Sequence, residues 1–331
     1  MAGAFGTSFM PQMTLSNYNN GWSEPSFVNS NEIVVHPGAH VLHYASTCFE
    51  GLKAFHHKDG SVRIFRMDKN LERLRQSSEL LYLPPIDIDF TGKMITDIVG
   101  HYRNEVPAPP ASMYIRPTHF GIDPAIGAAA EPSEESVLYI LLSPVGDYFS
   151  GGEASLRLLI DDVGVRCGPD NGMVKSGGNY ASALKHIMRA KKEHNAQQVL
   201  FCPNGDVQET GAANFLLVDD ESVLTKSLDE SFLHGVTRES ILTLARDNGL
   251  KVEERDFSVE ELLDRATKPT AEAGLAGTAA VLAAVTTFIY KGKEYQVGSG
   301  QPGPRIREMR AELNAIQWGE SEDKHGWLIE V

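Results

Sequence analysis

Cysteine is scarce in this 331-residue chain: Cys48, Cys167 and Cys202 are the only three, far apart and with no C-x-x-C pair. That pattern indicates neither a disulfide framework nor a zinc site. No apolar run approaches the length of a membrane span. The opening stretch, MAGAFGTSFMPQMTLSNYNNGWSEP, lacks a basic segment followed by a long apolar one, so it does not read as a signal peptide. A cytoplasmic protein is expected. Positive charge is in deficit, with 30 Lys and Arg against 44 Asp and Glu and a net charge of −14. The deficit disfavours nucleic acid and anionic membranes as partners, but not a small anion held by a local cluster of donors. Several motifs are also missing. There is no G-x-x-x-x-G-K-[ST], no G-x-G-x-x-G after a strand, no H-E-x-x-H and no G-x-S-x-G. GSGQPGPR (298–305) has the glycines, but Pro302 and Pro304 make it a loop.

What is present is ordinary for a soluble globular protein, with 42% hydrophobic and 22% charged residues. The length suggests two domains. The Gly/Ser-containing stretch VGDYFSGGEAS suggests where they divide: a small domain over 1–146, a linker over 147–155 and a large domain over 156–331. LKAFHHKDGSVRIF reads as a hairpin turning at Asp59-Gly60. MDKNLERLRQSSELLYLPP reads as a helix with Asp68 as N-cap, an apolar stripe of Leu71, Leu74 and Leu81, and a stop at Pro84-Pro85. SMYIRPTHFG and SVLYILLSPVG read as strands, the second buried on both faces. Asn204-Gly205 predicts a second hairpin, within QQVLFCPNGDVQETGAANFLLV. HGVTRESILTLARDNG predicts a helix with Thr237 as N-cap and Gly249 as terminator. Ser258 to Glu261 forms a capping box, and Ile306, Met309, Leu313 and Ile316 form a helical stripe.

Polar residues at element ends carry the chemical signal. Lys175 precedes a Gly-Gly pair, and Tyr180 follows five residues on. Glu209 closes a strand. Gly235, Val236 and Thr237 open a helix, and Thr278 follows Gly277. Both of these segments offer backbone N–H groups plus a hydroxyl, a way to hold phosphate with little net charge. Arg116 interrupts an apolar strand, so a carboxylate partner, from protein or ligand, is expected. Pyridoxal phosphate needs a lysine for its aldehyde, an acid for the pyridine nitrogen, a donor to the phenolic oxygen and a phosphate cup. Lys175, Glu209, Tyr180 and the set Arg73, Thr237 and Thr278 would supply all four. Spacing alone leaves open whether they converge.

The segments YASTCFEGLKAF, NLERLRQSSELLYLP, MYIRP, VKSGGNYASAL, QVLFCPNGDVQETGAANFLLV, LHGVTRESILTLA and GTAA, in this order, resemble the motifs of branched-chain amino-acid aminotransferases. The resemblance runs from about Ser23 to the closing HGWLIEV. It implies an α/β (α+β), two-domain, fold-type IV pyridoxal-phosphate enzyme of the D-amino-acid-aminotransferase-like kind. The implied reaction is reversible, ping-pong amino transfer from L-leucine, L-isoleucine or L-valine to 2-oxoglutarate. Other transaminases of the same fold, acting on D-amino acids or R-amines, are the nearest alternative, and a non-catalytic relative the next. The resemblance implies that Lys175 bonds the cofactor and shuttles the substrate proton. Tyr180 would meet the phenolic oxygen and Glu209 the pyridine nitrogen. Arg73, Gly235, Val236, Thr237 and Thr278 would hold the phosphate. It further implies that Tyr44, Arg116, Thr278 and Ala279 position the substrate carboxylate, and that Phe49, Gly51, Tyr114 and Tyr148 line the side-chain pocket. Its other implications are amino-acid and 2-oxo-acid partners, no metal, and a homodimer or larger assembly. The glycines after Lys175 would let the backbone turn close to the cofactor. The sequence departs from common family patterns at His234, where proline is usual, at Ala212, where a polar residue is usual, and in having no C-x-x-C after GTAA.

Overall fold

The structure is a computed structural model, described here for residues 5–147 and 155–331. Along the chain run β1 (Gln12–Tyr18), β2 (Ser26–Asn29), α1 (His40–Tyr44), β3 (Thr47–Phe49), β4 (Leu52–His56), β5 (Val62–Phe65), α2 (Met67–Leu80), α3 (Ile88–His101), β6 (Ser112–Gly121) and β7 (Ser136–Val145). There follow β8 (Leu156–Asp161), α4 (Gly177–His194), β9 (Gln198–Phe201), β10 (Asn214–Val218), β11 (Val223–Thr225), α5 (Val236–Asp247), β12 (Val252–Glu254), α6 (Val259–Ala266), β13 (Glu272–Gly277), β14 (Val281–Tyr290), β15 (Lys293–Gln296), α7 (Pro304–Gln317) and β16 (Leu328–Glu330). The chain divides into two units. One holds 5–147, Val174–Gly177 and Ile316–Val331; the other holds 155–173 and Gly178–Ala315.

The first unit is built on an eight-stranded antiparallel sheet in the order β16-β5-β4-β6-β7-β1-β2, with β3 paired to β6. The β4–β5 hairpin forms as expected, with Ala54 opposite Ile64. Gly60, at φ +84°, takes the left-handed position of its turn, which glycine adopts without a Cβ penalty. α2 carries Leu71 and Leu74 on its buried face, packed with Ile95 and Ile98 of α3 and Ile115 of β6 in one core. Truncating a fully buried leucine such as Leu74 costs about 2–5 kcal/mol. The start of α2 corrects one expectation. Its N-cap is Arg66, left-handed at φ 51°, and Asp68 instead occupies the first turn, where its charge suits the positive end of the helix dipole.

The second unit is built on a mixed eight-stranded sheet, β12-β11-β10-β13-β14-β8-β9, with β15 paired to β14. The Asn204-Gly205 turn forms, with both residues at positive φ. The returning limb pairs only briefly with β9, through Gln208 N–H to Phe201 O and Phe201 N–H to Glu209 O, each at 3.0 Å. A tight turn over 210–213 then sends the chain into β10, which pairs with β11 and β13 rather than β9. Glu209 and Asn214 face each other across that turn. α5 also corrects the sequence expectation: Gly235 is its N-cap and Thr237 lies inside the first turn. Gly249, at φ +75°, follows its C-cap as expected. Ser258 Oγ accepts from Glu261 N–H, but the Glu261 carboxylate turns to Arg255 and Arg265 instead of closing the box. Ile306, Met309, Leu313 and Ile316 are all buried on α7.

Candidate active site

In the first unit, the peptide of Lys175 is gripped from two sides. Its N–H donates to Ser77 Oγ of α2 at 3.1 Å, and its carbonyl accepts from Phe49 N–H of β3 at 3.0 Å. Its Nζ lies 5.3 Å from the centre of the Phe49 ring. A buried polar chain braces β3 from below. Cys48 Sγ lies 3.3 Å from Ser78 Oγ, Ser78 lies 2.9 Å from His119 Nδ1, and His119 Nε2 lies 2.8 Å from Ser136 Oγ. Burial holds this chain in its neutral form, pushing the His119 pKa down to about 3 and the Cys48 thiol up to about 12. α4 begins at Gly177, which has no positive φ, and a Cβ there would meet open space. Lys185, further along α4, is exposed.

Arg73 and its surroundings show what a buried charge requires. Its Nε and Nη2 grip both oxygens of Glu50 at 2.7 and 2.8 Å, a bidentate pair with both side chains buried. Gly51 N–H donates to the same carboxylate. Gly51 itself sits where no side chain fits, because a Cβ would lie 1.9 Å from Tyr114 Oη. Arg116 Nη2 donates to that hydroxyl at 2.9 Å, and the guanidinium stacks over Phe49 and Tyr114, 4.7 and 5.2 Å from the ring centres. Arg116 Nε is buried with no hydrogen-bond partner among the described residues. The structure thus brings Phe49, Gly51, Tyr114, Arg116 and Lys175 into one cluster. The Tyr44 hydroxyl donates to Ile126 O, and its ring lies against His40 and His43. Tyr148 lies outside the described residues.

In the second unit Glu209 is held by Arg166, Leu233 and Asn214. Arg166 Nη1 and Leu233 N–H meet Oε1 at 3.0 and 2.9 Å, and Asn214 Nδ2 meets Oε2 at 3.1 Å. α5 then starts at Gly235 without a side-chain cap, which leaves its first-turn amides for a ligand anion to meet. Thr237 is buried in that turn. Tyr180 is half-buried one turn into α4. Thr278 and Ala279 form the turn between β13 and β14, and Val281 closes it at φ 61°, costly for a β-branched residue and typical of strain kept near a working site. His234 Nε2 donates to Asp229 O at 2.8 Å. Ala212 is exposed at the tip of the 210–213 turn.

A model of the amino-transferase class IV family matches residues 47–286. The chain is 32% identical to branched-chain-amino-acid aminotransferase 2 of Bacillus subtilis, covering 99% of this chain and 92% of that protein. It is 35% identical to a probable branched-chain-amino-acid aminotransferase of Staphylococcus epidermidis, covering 99% and 93%. The chain belongs to the class IV aminotransferases. It is a transaminase of the branched-chain-amino-acid aminotransferase family, with pyridoxal phosphate as cofactor. The crystal structure of the Escherichia coli branched-chain amino acid aminotransferase superposes with a TM-score of 0.78 at 28% identity, covering 92% of this chain and 96% of that one. The fold is therefore fold-type IV, as the motifs implied.

The residues present fit this cofactor. A buried acid meets the need of a ring nitrogen, and an uncapped, glycine-started helix that of a phosphate. Four residues of these surroundings escaped the sequence reading: Glu50, Ser77, Arg166 and Asn214. For Glu50 and Arg166 a signal existed. A glutamate between Phe49 and Gly51 needs a counter-ion for the same reason as Arg116, and so does Glu209. Ser77 acts through one hydrogen bond and Asn214 through two, and the sequence carries no signal for either.

Proposed function

We propose that this transaminase moves the amino group between L-leucine, L-isoleucine or L-valine and 2-oxoglutarate, giving branched 2-oxo acids and L-glutamate. Arg116 is the observation that carries this reading. Two aromatic faces make an apolar wall for an aliphatic side chain, and a guanidinium with an unpaired Nε awaits the distal carboxylate of glutamate. Phe49, Gly51 and Tyr114 line the pocket. Tyr44, Thr278 and Ala279 are assigned to the α-carboxylate, and Tyr148 to the pocket, on the family resemblance.

When bound, pyridoxal phosphate supplies the electron sink that lets the substrate Cα–H bond break. Lys175 Nζ would hold the cofactor at rest and, once released from it, would carry the proton that leaves the substrate Cα. Its gripped peptide limits how far that amine wanders. Glu209 keeps a proton on the ring nitrogen, with Arg166 compensating its buried charge. Tyr180 donates to the phenolic oxygen. Gly235, Val236 and Thr237 at the start of α5, with Thr278 and Arg73, hold the phosphate. The enzyme works in the cytoplasm as a homodimer or larger homo-oligomer. Leu184 and Met188, one turn apart on α4, are exposed apolar residues in the second unit.

Half-reactions with L-leucine, D-alanine and an R-aryl amine test the substrate class. Rapid reaction with L-leucine alone is expected; no reaction with L-leucine overturns the reading. Light scattering on purified protein checks the assembly, and a monomer at micromolar concentration contradicts it.

A further inference from the structure

Asn214 joins two parts of the second unit that the family roles treat separately. Its buried Nδ2 donates to Glu209 Oε2 at 3.1 Å and to Leu233 O at 2.8 Å. Both partners can only accept, so the amide orientation is fixed: Nδ2 faces the acid and Oδ1 faces away. Oδ1 lies against Gly235, where a Cβ would come within 1.9 Å of it. Gly235 is the N-cap of α5. One planar side chain therefore touches the buried acid with its donor edge and the first residue of the helix with its acceptor edge. Glu209 and Asn214 also pair as backbone neighbours across the 210–213 turn, so the contact is built into the local fold.

We propose that Asn214 is a positioning residue for the reaction: it fixes the Glu209 carboxylate relative to the Gly235–Thr237 amides, so that the ring-nitrogen and phosphate contacts are set together. The proposal rests on the roles given above to Glu209 and α5. It also accounts for glycine at the N-cap, where serine, threonine, asparagine or aspartate is usual. Here the neighbouring asparagine amide occupies the space a side chain would need.

Two variants test it on the full chain. Asn214→Asp keeps the shape but replaces the donor with a second carboxylate oxygen facing Glu209. The apo protein, titrated with pyridoxal phosphate by fluorescence quenching, should lose about 10- to 100-fold in affinity, the worth of a hydrogen bond to a charged group. In the loaded enzyme kcat should fall by a similar factor, with the KM for L-leucine moving less than about threefold. The visible circular dichroism of the bound cofactor should change as well. A loss of apo-protein stability with kcat, affinity and dichroism all unchanged would mean that Asn214 is merely structural, and overturns the proposal.

Gly235→Ala supplies the second arm, and decides the matter if Asn214→Asp does not fold. Alone it should weaken cofactor binding by at least about tenfold. Combined with Asn214→Ala, which vacates the space, it should bind more tightly than Gly235→Ala alone. Strictly additive losses overturn the proposal. Glu209→Gln separates this idea from its foundation. If that variant binds cofactor and turns over like the parent, the role of Glu209 is wrong. If it is impaired while both other arms are null, only the role of Asn214 falls.

Discussion

Each unit buries an arginine–glutamate pair, and the two pairs are built differently. In the first, Arg73 and Glu50 meet fork to fork, and the acid also accepts from Gly51 N–H. In the second, Arg166 Nη1 meets Glu209 Oε1, and the acid also accepts from Asn214 and Leu233 N–H. A different member of each pair, Arg73 in one and Glu209 in the other, is assigned to the cofactor. The lesson is that a charge aimed at a ligand from a buried site brings its own counter-ion, because the unpaired charge costs too much to bury.

The largest effect expected is on turnover. Lys175→Ala should lower kcat by at least about three decades while still binding pyridoxal phosphate noncovalently. Stopped-flow assays and dialysis equilibrium check both halves. Next come the counter-ions. Glu50→Gln and Arg166→Met each strand a buried charge and should each cost about 3–5 kcal/mol in urea melts. Hydrogen exchange should locate the loss in β4 and β6 for the first and in β10 and β13 for the second. Loosening of both units by either variant would break the comparison.

The two units should also part on acidification. The folded pKa of His119 is depressed to about 3 from 6.5, so its contribution is complete above about pH 6.5 and is lost as pH falls towards 3. By pH 5 the loss amounts to about 2 kcal/mol, felt in the first unit. In the second unit Asp161 and Asp219 lie below 3.8 when folded, despite burial, because backbone N–H donors and His186 or Arg265 hold the charged form. Their contribution is complete above about pH 3.8 and is lost only below it. Exchange in β6 should therefore quicken at a higher pH than exchange in β8 or β10, and His119→Gln should remove the difference. The smallest effect concerns substrate choice. Arg116→Met should raise the KM for 2-oxoglutarate about 10-fold while changing that for L-leucine less than about threefold, measured in initial-rate assays.

Much of the fold was legible because it is local. The β4–β5 turn, the stripes of α2 and α7 and the Asn204-Gly205 turn follow from spacing and from residues suited to positive φ. The N-caps of α2 and α5 were misplaced, because Arg66 and Gly235 cap by backbone geometry rather than by side-chain chemistry, which the sequence pattern does not display. The β9 hairpin was half legible: its turn is written in two residues, whereas the departure of β10 to β13 depends on a second turn and a distant strand. For the site, residue types and motif order pointed to Lys175, Glu209 and the start of α5. The partners at Glu50 and Arg166 are set by packing across segments distant in sequence, where desolvation cost alone demanded a counter-ion, and the partner at Asn214 by the 210–213 turn, whose geometry the residue pattern does not display.

The central claim is that Lys175 is the lysine that carries the cofactor. Borohydride reduction of the pyridoxal-phosphate-loaded enzyme, followed by peptide mapping, tests it most directly. The account predicts one phosphopyridoxyl label, on the peptide containing Lys175, and its disappearance when L-leucine is added before reduction. A label on another lysine, or none on a protein that turns over, would contradict it.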